Sequence, residues 1–158
     1  MARLFSAMAL ALGLFLIPVV STPAHAKDID AKELRCLALT LYWEAEGEGR
    51  EGMMAVAAVV LNRVRHADFP NSVCGVVKQG GETQRHRCQF SWWCDGKSDW
   101  PQNSRIWRQA EQVARKALSK TLQDPTDGSL FYHHTAILPK WRLAMEMTAV
   151  IGRHAFYR

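Results

Sequence analysis

The chain has 158 residues, 48% of them hydrophobic, with 20 Lys and Arg against 15 Asp and Glu for a formal net charge of +5, and four cysteines. That length suits one domain with a real core and is short for two. The basic residues are dispersed, not gathered in a stripe, which argues against nucleic acid as a partner and leaves a modest attraction to an anionic polymer or surface.

Residues 1–26 carry one basic residue, Arg3, then an apolar stretch from Ala7 to Val20, then Ala24-His25-Ala26. This is the pattern of a secretory signal peptide, with small residues two places apart at the cleavage site. Export is therefore expected, to the periplasm, cell envelope or exterior, with a single catalytic domain over residues 27–158 and no membrane association once the leader is gone. The later apolar run Val56 to Leu61 is far too short to span a bilayer. Cys36, Cys74, Cys88 and Cys94 all follow the leader, and an even number in an exported chain implies two disulfides. Sequence leaves three connectivities open; the expected one is Cys74 with Cys88 and Cys36 with Cys94. No Cys-x-x-Cys pair is present, so neither a metal nor another cofactor is expected.

A first helix is expected from about Asp30 to Glu46, capped by Asp28 or Asp30 and stopped by Gly47. Glu44 continues the stripe Leu34, Leu37 and Leu41, so its carboxyl leaves the apolar side of that helix, whereas Glu46 points the other way. A carboxyl so placed, beside Tyr42 and Trp43, is poorly hydrated; its pKa rises towards that of a useful general acid. A second helix, from about Arg50 to Arg65, is apolar on nearly every face and reads as the central core helix. His66 to Asn71 is a turn, Ser72 to Val77 a short helical turn, and Lys78 to Arg87 an exposed loop.

Gln89-Phe-Ser-Trp-Trp-Cys-Asp-Gly96 places three large aromatics within four residues. So short a segment is expected to leave Trp92 or Trp93 open for stacking on a sugar, with Gln89 and Ser91 reaching its hydroxyls. A third helix is expected from about Asn103 to Leu122, an extended segment from Ser129 to Thr135, and two short strands around Gly152 near the C-terminus. The adjacent His133 and His134 would point to opposite faces of a strand, which disfavours a shared metal.

In order, Tyr42-Trp-Glu-Ala-Glu-Gly-Glu48 with Glu51-Gly52, Ala55 to Val64, Phe69 to Val77, Cys88-Gln-Phe-Ser91 with Cys94-Asp-Gly96, Phe131-Tyr-His133 and Ile151 to Tyr157 make a specific combination. The chain resembles the cell-wall hydrolase family that includes spore-cortex-lytic enzymes of the SleB/CwlJ type. The resemblance implies an α+β, mostly helical, lysozyme-like domain with a small sheet, acting as a monomer on the glycan strands of peptidoglycan, and it puts Glu44 on the family's catalytic glutamate. The sequence lacks the N-terminal repeat-type peptidoglycan-binding domain of several members, so targeting is expected to rest on the cleft, weak charge or a partner.

Expected glycan contacts are Tyr42, Glu48, Gln89, Ser91, Trp92, Trp93, Tyr132 and His133. A hydrolytic muramidase would need a second carboxylate, for which Glu48, Asp95 and Asp99 are available but not clearly placed. A lytic transglycosylase, in which the muramoyl 6-hydroxyl attacks its own anomeric carbon, needs none and is preferred. The other readings are a non-catalytic glycan-binding module, which would tolerate loss of Glu44, and an amidase, which usually wants zinc. The exported chain is expected to begin at Lys27 with no free thiol; intact mass under non-reducing conditions checks both, and a retained leader or four thiols would contradict them.

Overall fold

Asp30 opens the first helix: its side chain accepts from the backbone N–H groups of Lys32 at 2.7 Å and Glu33 at 3.2 Å, satisfying two of the donors a helix start leaves unpaired. In the computed structural model, which describes residues 28–80 and 87–158, this helix is α1, Ala31–Ala45. The leader, the start at Lys27 and positions 81–86 of the expected loop lie outside the described residues. A short 3-10 turn, Glu46–Glu48, and Gly49 at φ 66° carry the chain into α2, Gly49–Arg65. The expected burial of α2 on all sides is observed, with Met53 and every residue from Ala55 to Val60 in the core.

The short α3, Val73–Lys78, is capped twice. Ser72 Oγ accepts from Gly75 N at 3.1 Å, and the Glu33 carboxylate of α1 accepts from Val73 N at 2.6 Å and Cys74 N at 3.4 Å. That second cap fixes α3 against α1 and decides the disulfides. Cys36, one turn beyond Glu33, meets Cys74, while Cys88 and Cys94 close their own loop of sequence separation 6. The expected pairs, Cys74 with Cys88 and Cys36 with Cys94, are thus corrected.

α4 runs from Ser104 to Leu118 behind an Asn103 cap, four residues short of the expected end. The Lys116 carbonyl collects Ser119 Oγ, Thr121 Oγ1 and Thr121 N, all at 3.1 Å, and Lys120 turns left-handed at φ 60°. Such local bonds compete with the next helical turn.

The three strands, β1 Phe131–His134, β2 Met147–Ile151 and β3 His154–Tyr157, form an antiparallel sheet in the order β1-β3-β2. Phe156 of β3 is fully buried and packs on Ala55 and Val59 of α2, so the sheet lies on the central helix. The fold is α+β and mostly helical, as the sequence indicates. No helix among the described residues is long and apolar enough to cross a membrane.

The two bridges should differ in worth. With separations of 38 and 6 residues, chain entropy gives roughly 4 kcal/mol for Cys36–Cys74 and roughly 2 kcal/mol for Cys88–Cys94. Urea denaturation of the two paired Cys→Ser variants measures the difference, and peptide mapping without reductant checks the pairs.

Candidate active site

Glu44 sits in the last turn of α1, where the helical period carries it past Leu37 and Leu41, both fully buried, towards the sheet. Its carboxyl is partly buried and meets one direct hydrogen-bond donor: Tyr132 Oη of β1, 3.0 Å from Glu44 Oε2. Strand alternation explains the contact, since Tyr132 and its register partner Phe156 face the helices while His133 faces away. The Tyr132 ring lies against His154 and Phe156, with centroids 5.2 and 5.7 Å away, and these neighbours hold the hydroxyl at the carboxyl.

Beneath this pair lies a residue that sequence reasoning missed. Arg63 of α2 is 2% exposed. Its Nε donates to the Leu130 carbonyl at 2.7 Å. In the amide orientation that satisfies both groups, Gln89 accepts from Arg63 Nη1 at 3.0 Å and Nη2 at 3.3 Å. The rings of Phe69, Phe131 and Phe90 surround the guanidinium with centroids at 5.2, 5.7 and 5.8 Å. The signal in the sequence is an arginine closing an apolar helical run, Leu61-Asn-Arg-Val64, with Phe69, Phe90 and Phe131 all later in the chain.

These neighbours pull on one another's protons. Burial raises the Glu44 pKa above 4.5, while the Tyr132 hydrogen bond and the positive Arg63 oppose the rise. Burial, then the charge and hydrogen bond of Glu44, hold the Tyr132 hydroxyl well above its usual value, so it acts as a donor. Burial lowers Arg63 to about 10, opposed by Tyr132 and Glu44, which leaves it a cation at neutral pH.

The remaining expected contacts are scattered. Glu48, whose side chain is 5% exposed, is held by Arg153: Nε at 2.7 Å and backbone N at 2.8 Å. These bonds lower its pKa despite the opposing effect of burial. A Cβ on Gly152, at φ 56°, would strike the Glu48 carboxylate, so that turn needs glycine. Tyr42 Oη accepts from Gln102 N and Asn103 N at 3.2 and 3.1 Å, anchoring the start of α4. His133 Nε2 meets Tyr157 Oη at 3.0 Å on the outer face of the sheet. Of the three clustered aromatics, Phe90 and Trp92 are buried and Trp93 is partly open. The two tryptophans line a cavity with α1 residues Lys32 and Arg35, five or more residues before Glu44 along the helix, and Ser91 is exposed. No group of three or more His, Cys, Asp or Glu residues suited to a metal is found among the described residues.

The profile described as Cell Wall Hydrolase matches residues 47–157. The chain belongs to this family. The matched stretch begins just after Glu44. The spore cortex-lytic enzyme of Bacillus subtilis (strain 168) is 33% identical over 151 residues, 86% of this chain and 44% of that one, and a Bacillus cereus spore cortex-lytic enzyme is 32% identical over 127 residues, 78% and 43%. The chain therefore spans less than half the length of these relatives. Two solved structures share the fold: the catalytic domain of Bacillus cereus SleB, with a TM-score of 0.65, and that of the germination-specific lytic transglycosylase SleB from Bacillus anthracis, with 0.66. Both are 29% identical and cover 84% of this chain, and they are themselves covered to 94% and 98%.

A carboxyl with a raised pKa weakens the fold once it ionises. The contribution is harmless below the unfolded value near 4.5, and stability falls as pH rises through 4.5 towards the raised folded value. Glu44→Gln should therefore melt higher than wild type at pH 7, by roughly 3–5 °C for each kcal/mol recovered in a domain of this size, with the gap closing below pH 4. Calorimetry at both pH values checks the sign.

Proposed function

We propose that this protein cleaves the glycan strands of peptidoglycan as a lytic transglycosylase, at the bond between N-acetylmuramic acid and N-acetylglucosamine, with Glu44 as acid and then base. The observation that carries the reading is the partly buried Glu44 carboxyl at Tyr132, which has no carboxylate hydrogen-bonded to it or acting on its pKa among the described residues. Of the second carboxylates considered for a muramidase, Glu48 is held by Arg153, Asp95 stands 3.8 Å from Lys97, and Asp99 lines the tryptophan-lined cavity. Family membership and the lytic transglycosylase of like fold support the same reading.

In the first step the Glu44 carboxyl gives its proton to the glycosidic oxygen as the bond from that oxygen to the anomeric carbon breaks, and the electron pair stays with the departing sugar. The carboxylate so formed then takes the proton of the muramoyl 6-hydroxyl, whose oxygen closes on the anomeric carbon. A 1,6-anhydro ring results and Glu44 is protonated again, so no water is consumed. Burial supplies the protonated carboxyl for the first half, and Tyr132 and Arg63 favour the carboxylate needed for the second. Tyr132 also fixes which oxygen is free: Oε2 takes its hydrogen bond, leaving Oε1 for substrate. By the same reading the protein works outside the cytoplasm.

Glu44→Gln should lose at least roughly 10² to 10⁴ in kcat while still sedimenting with cell-wall sacculi. Glu46→Gln should keep most activity, because Glu46 is exposed and lines an open depression with Trp43 and Gln102. Mass spectrometry of wild-type digests should show 1,6-anhydro-muramoyl ends. Reducing muramoyl ends would move the assignment to a muramidase, and a fully active Glu44→Gln protein would overturn the mechanism.

A further inference from the structure

The tryptophan-lined cavity, of about 330 Å³, lies towards the other end of α1 from Glu44, against α3 and the turn Ser91–Trp93. At 1.5 Å of rise per residue, its α1 lining from Lys32 to Leu39 stands roughly 8 to 18 Å along the axis from Glu44. The two places are joined along the chain, because the segment that offers Gln89 and Phe90 to Arg63 goes on directly to Trp92 and Trp93.

Three features mark it as built to hold something. The Cys36–Cys74 disulfide stands at its wall through Cys36, and the Cys88–Cys94 disulfide closes the loop that carries Trp92 and Trp93. Both cross-links thus restrain segments that line the cavity, which preorganises it. The indole N–H groups of Trp92, 91% buried, and of Trp93 have no acceptor among the described residues, and a buried donor without a partner is costly. The charges of the described lining residues are unbalanced, with Lys32, Arg35 and Lys78 against the carboxyl of Asp99. Asp99 is itself pushed towards its neutral form by burial and then by Asp95, with Lys78 opposing.

A sugar face would ask for the rings alone, and the backbone of alternating N-acetyl sugars offers the cations little beyond the lactyl position where the peptide is attached. The stem peptides carry the carboxylates. We propose that this cavity seats the carboxylates of the stem peptide borne by the glycan, with Lys32, Arg35 and Lys78 as the pairing cations and Trp92 and Trp93 as the wall; the proposal rests on peptidoglycan being the substrate. The enzyme then reads peptide and glycan at two places joined by α1, and it prefers strands that still carry their peptides.

The test is a titration of the oxidised protein with the soluble tetrapeptide L-Ala-γ-D-Glu-meso-diaminopimelate-D-Ala, followed by NMR at the indole N–H groups. Saturable shifts at Trp92 and Trp93 are expected. Binding should weaken on the order of tenfold or more in Lys32→Gln/Arg35→Gln/Lys78→Gln and with added salt, and tighten in Asp99→Asn. In turnover, the KM advantage of peptide-bearing over peptide-free strands should shrink in the triple variant. No shift at millimolar peptide, an unchanged affinity in the triple variant, or equal binding of the fully amidated peptide would each overturn the proposal. The three cations are exposed, so the variant should fold; if its melt shows otherwise, Lys78→Gln alone decides, with a several-fold loss expected. The titration needs no cleavage, so it answers separately from the loss of turnover in Glu44→Gln.

Discussion

A guanidinium taken out of water must be met on every side, and the placement of Arg63 governs much of this molecule. Its plane is satisfied by the Leu130 carbonyl and the Gln89 amide and enclosed by three phenylalanine rings from separate parts of the chain. The neighbouring Asn62 adds hydrogen bonds to Asp124 at 2.9 Å and to the Ser129 carbonyl at 3.0 Å. The end of α2 therefore grips the residues that lead into β1 and the segment that follows Cys88. Where β1 goes, Tyr132 goes, and through Tyr132 the orientation of Glu44 is set.

The same arrangement resolves a conflict of requirements at Glu44. On the proposed mechanism Glu44 gives a proton and then takes one back, so it cannot sit in a wholly apolar pocket, where it would never ionise, nor in water, where it would rarely be protonated. Burial pushes one way, and one neutral hydrogen bond plus a cation held off at longer range push the other. A direct ion pair with Arg63 would have tipped the balance to the carboxylate. The cage of carbonyl, amide and rings occupies the guanidinium instead.

Much of this could be read from the chain because it depends on local pattern. The Asp30 cap, the glycines after Glu44, the all-round burial of α2 and the strands on either side of Gly152 follow from propensity and period, and the stripe from Leu34 to Glu44 placed the carboxyl. What escaped depends on partners distant in the chain. The disulfide pairing was set by Glu33 capping α3 across 40 residues, and no spacing of cysteines reveals that. Glu48 read as a free carboxylate beside the site because Arg153 is 105 residues away. Arg63 looked like the polar end of a helix, and only the converging phenylalanines turn it into a buried charge. In the aromatic run near Cys94 the partial exposure of one ring is legible, but which ring it is, Trp93 and not Trp92, depends on how the loop packs on α1 and α3.

The topology of the sheet bears on how the site comes into being. Among the described residues β1 pairs with β3 alone, from which it is separated by the whole span Thr135 to Arg153. A chain folded as far as α4 would hold its helical lobe and its acid, yet the strand bearing the tyrosine would have nothing to pair with. Closure of that long loop is among the slower, non-local steps of folding. Glu44 and the hydroxyl of Tyr132 thus come together only when β3 threads between its two neighbours, so that, if the proposed activity holds, a half-folded chain would be a poor cutter of its surroundings.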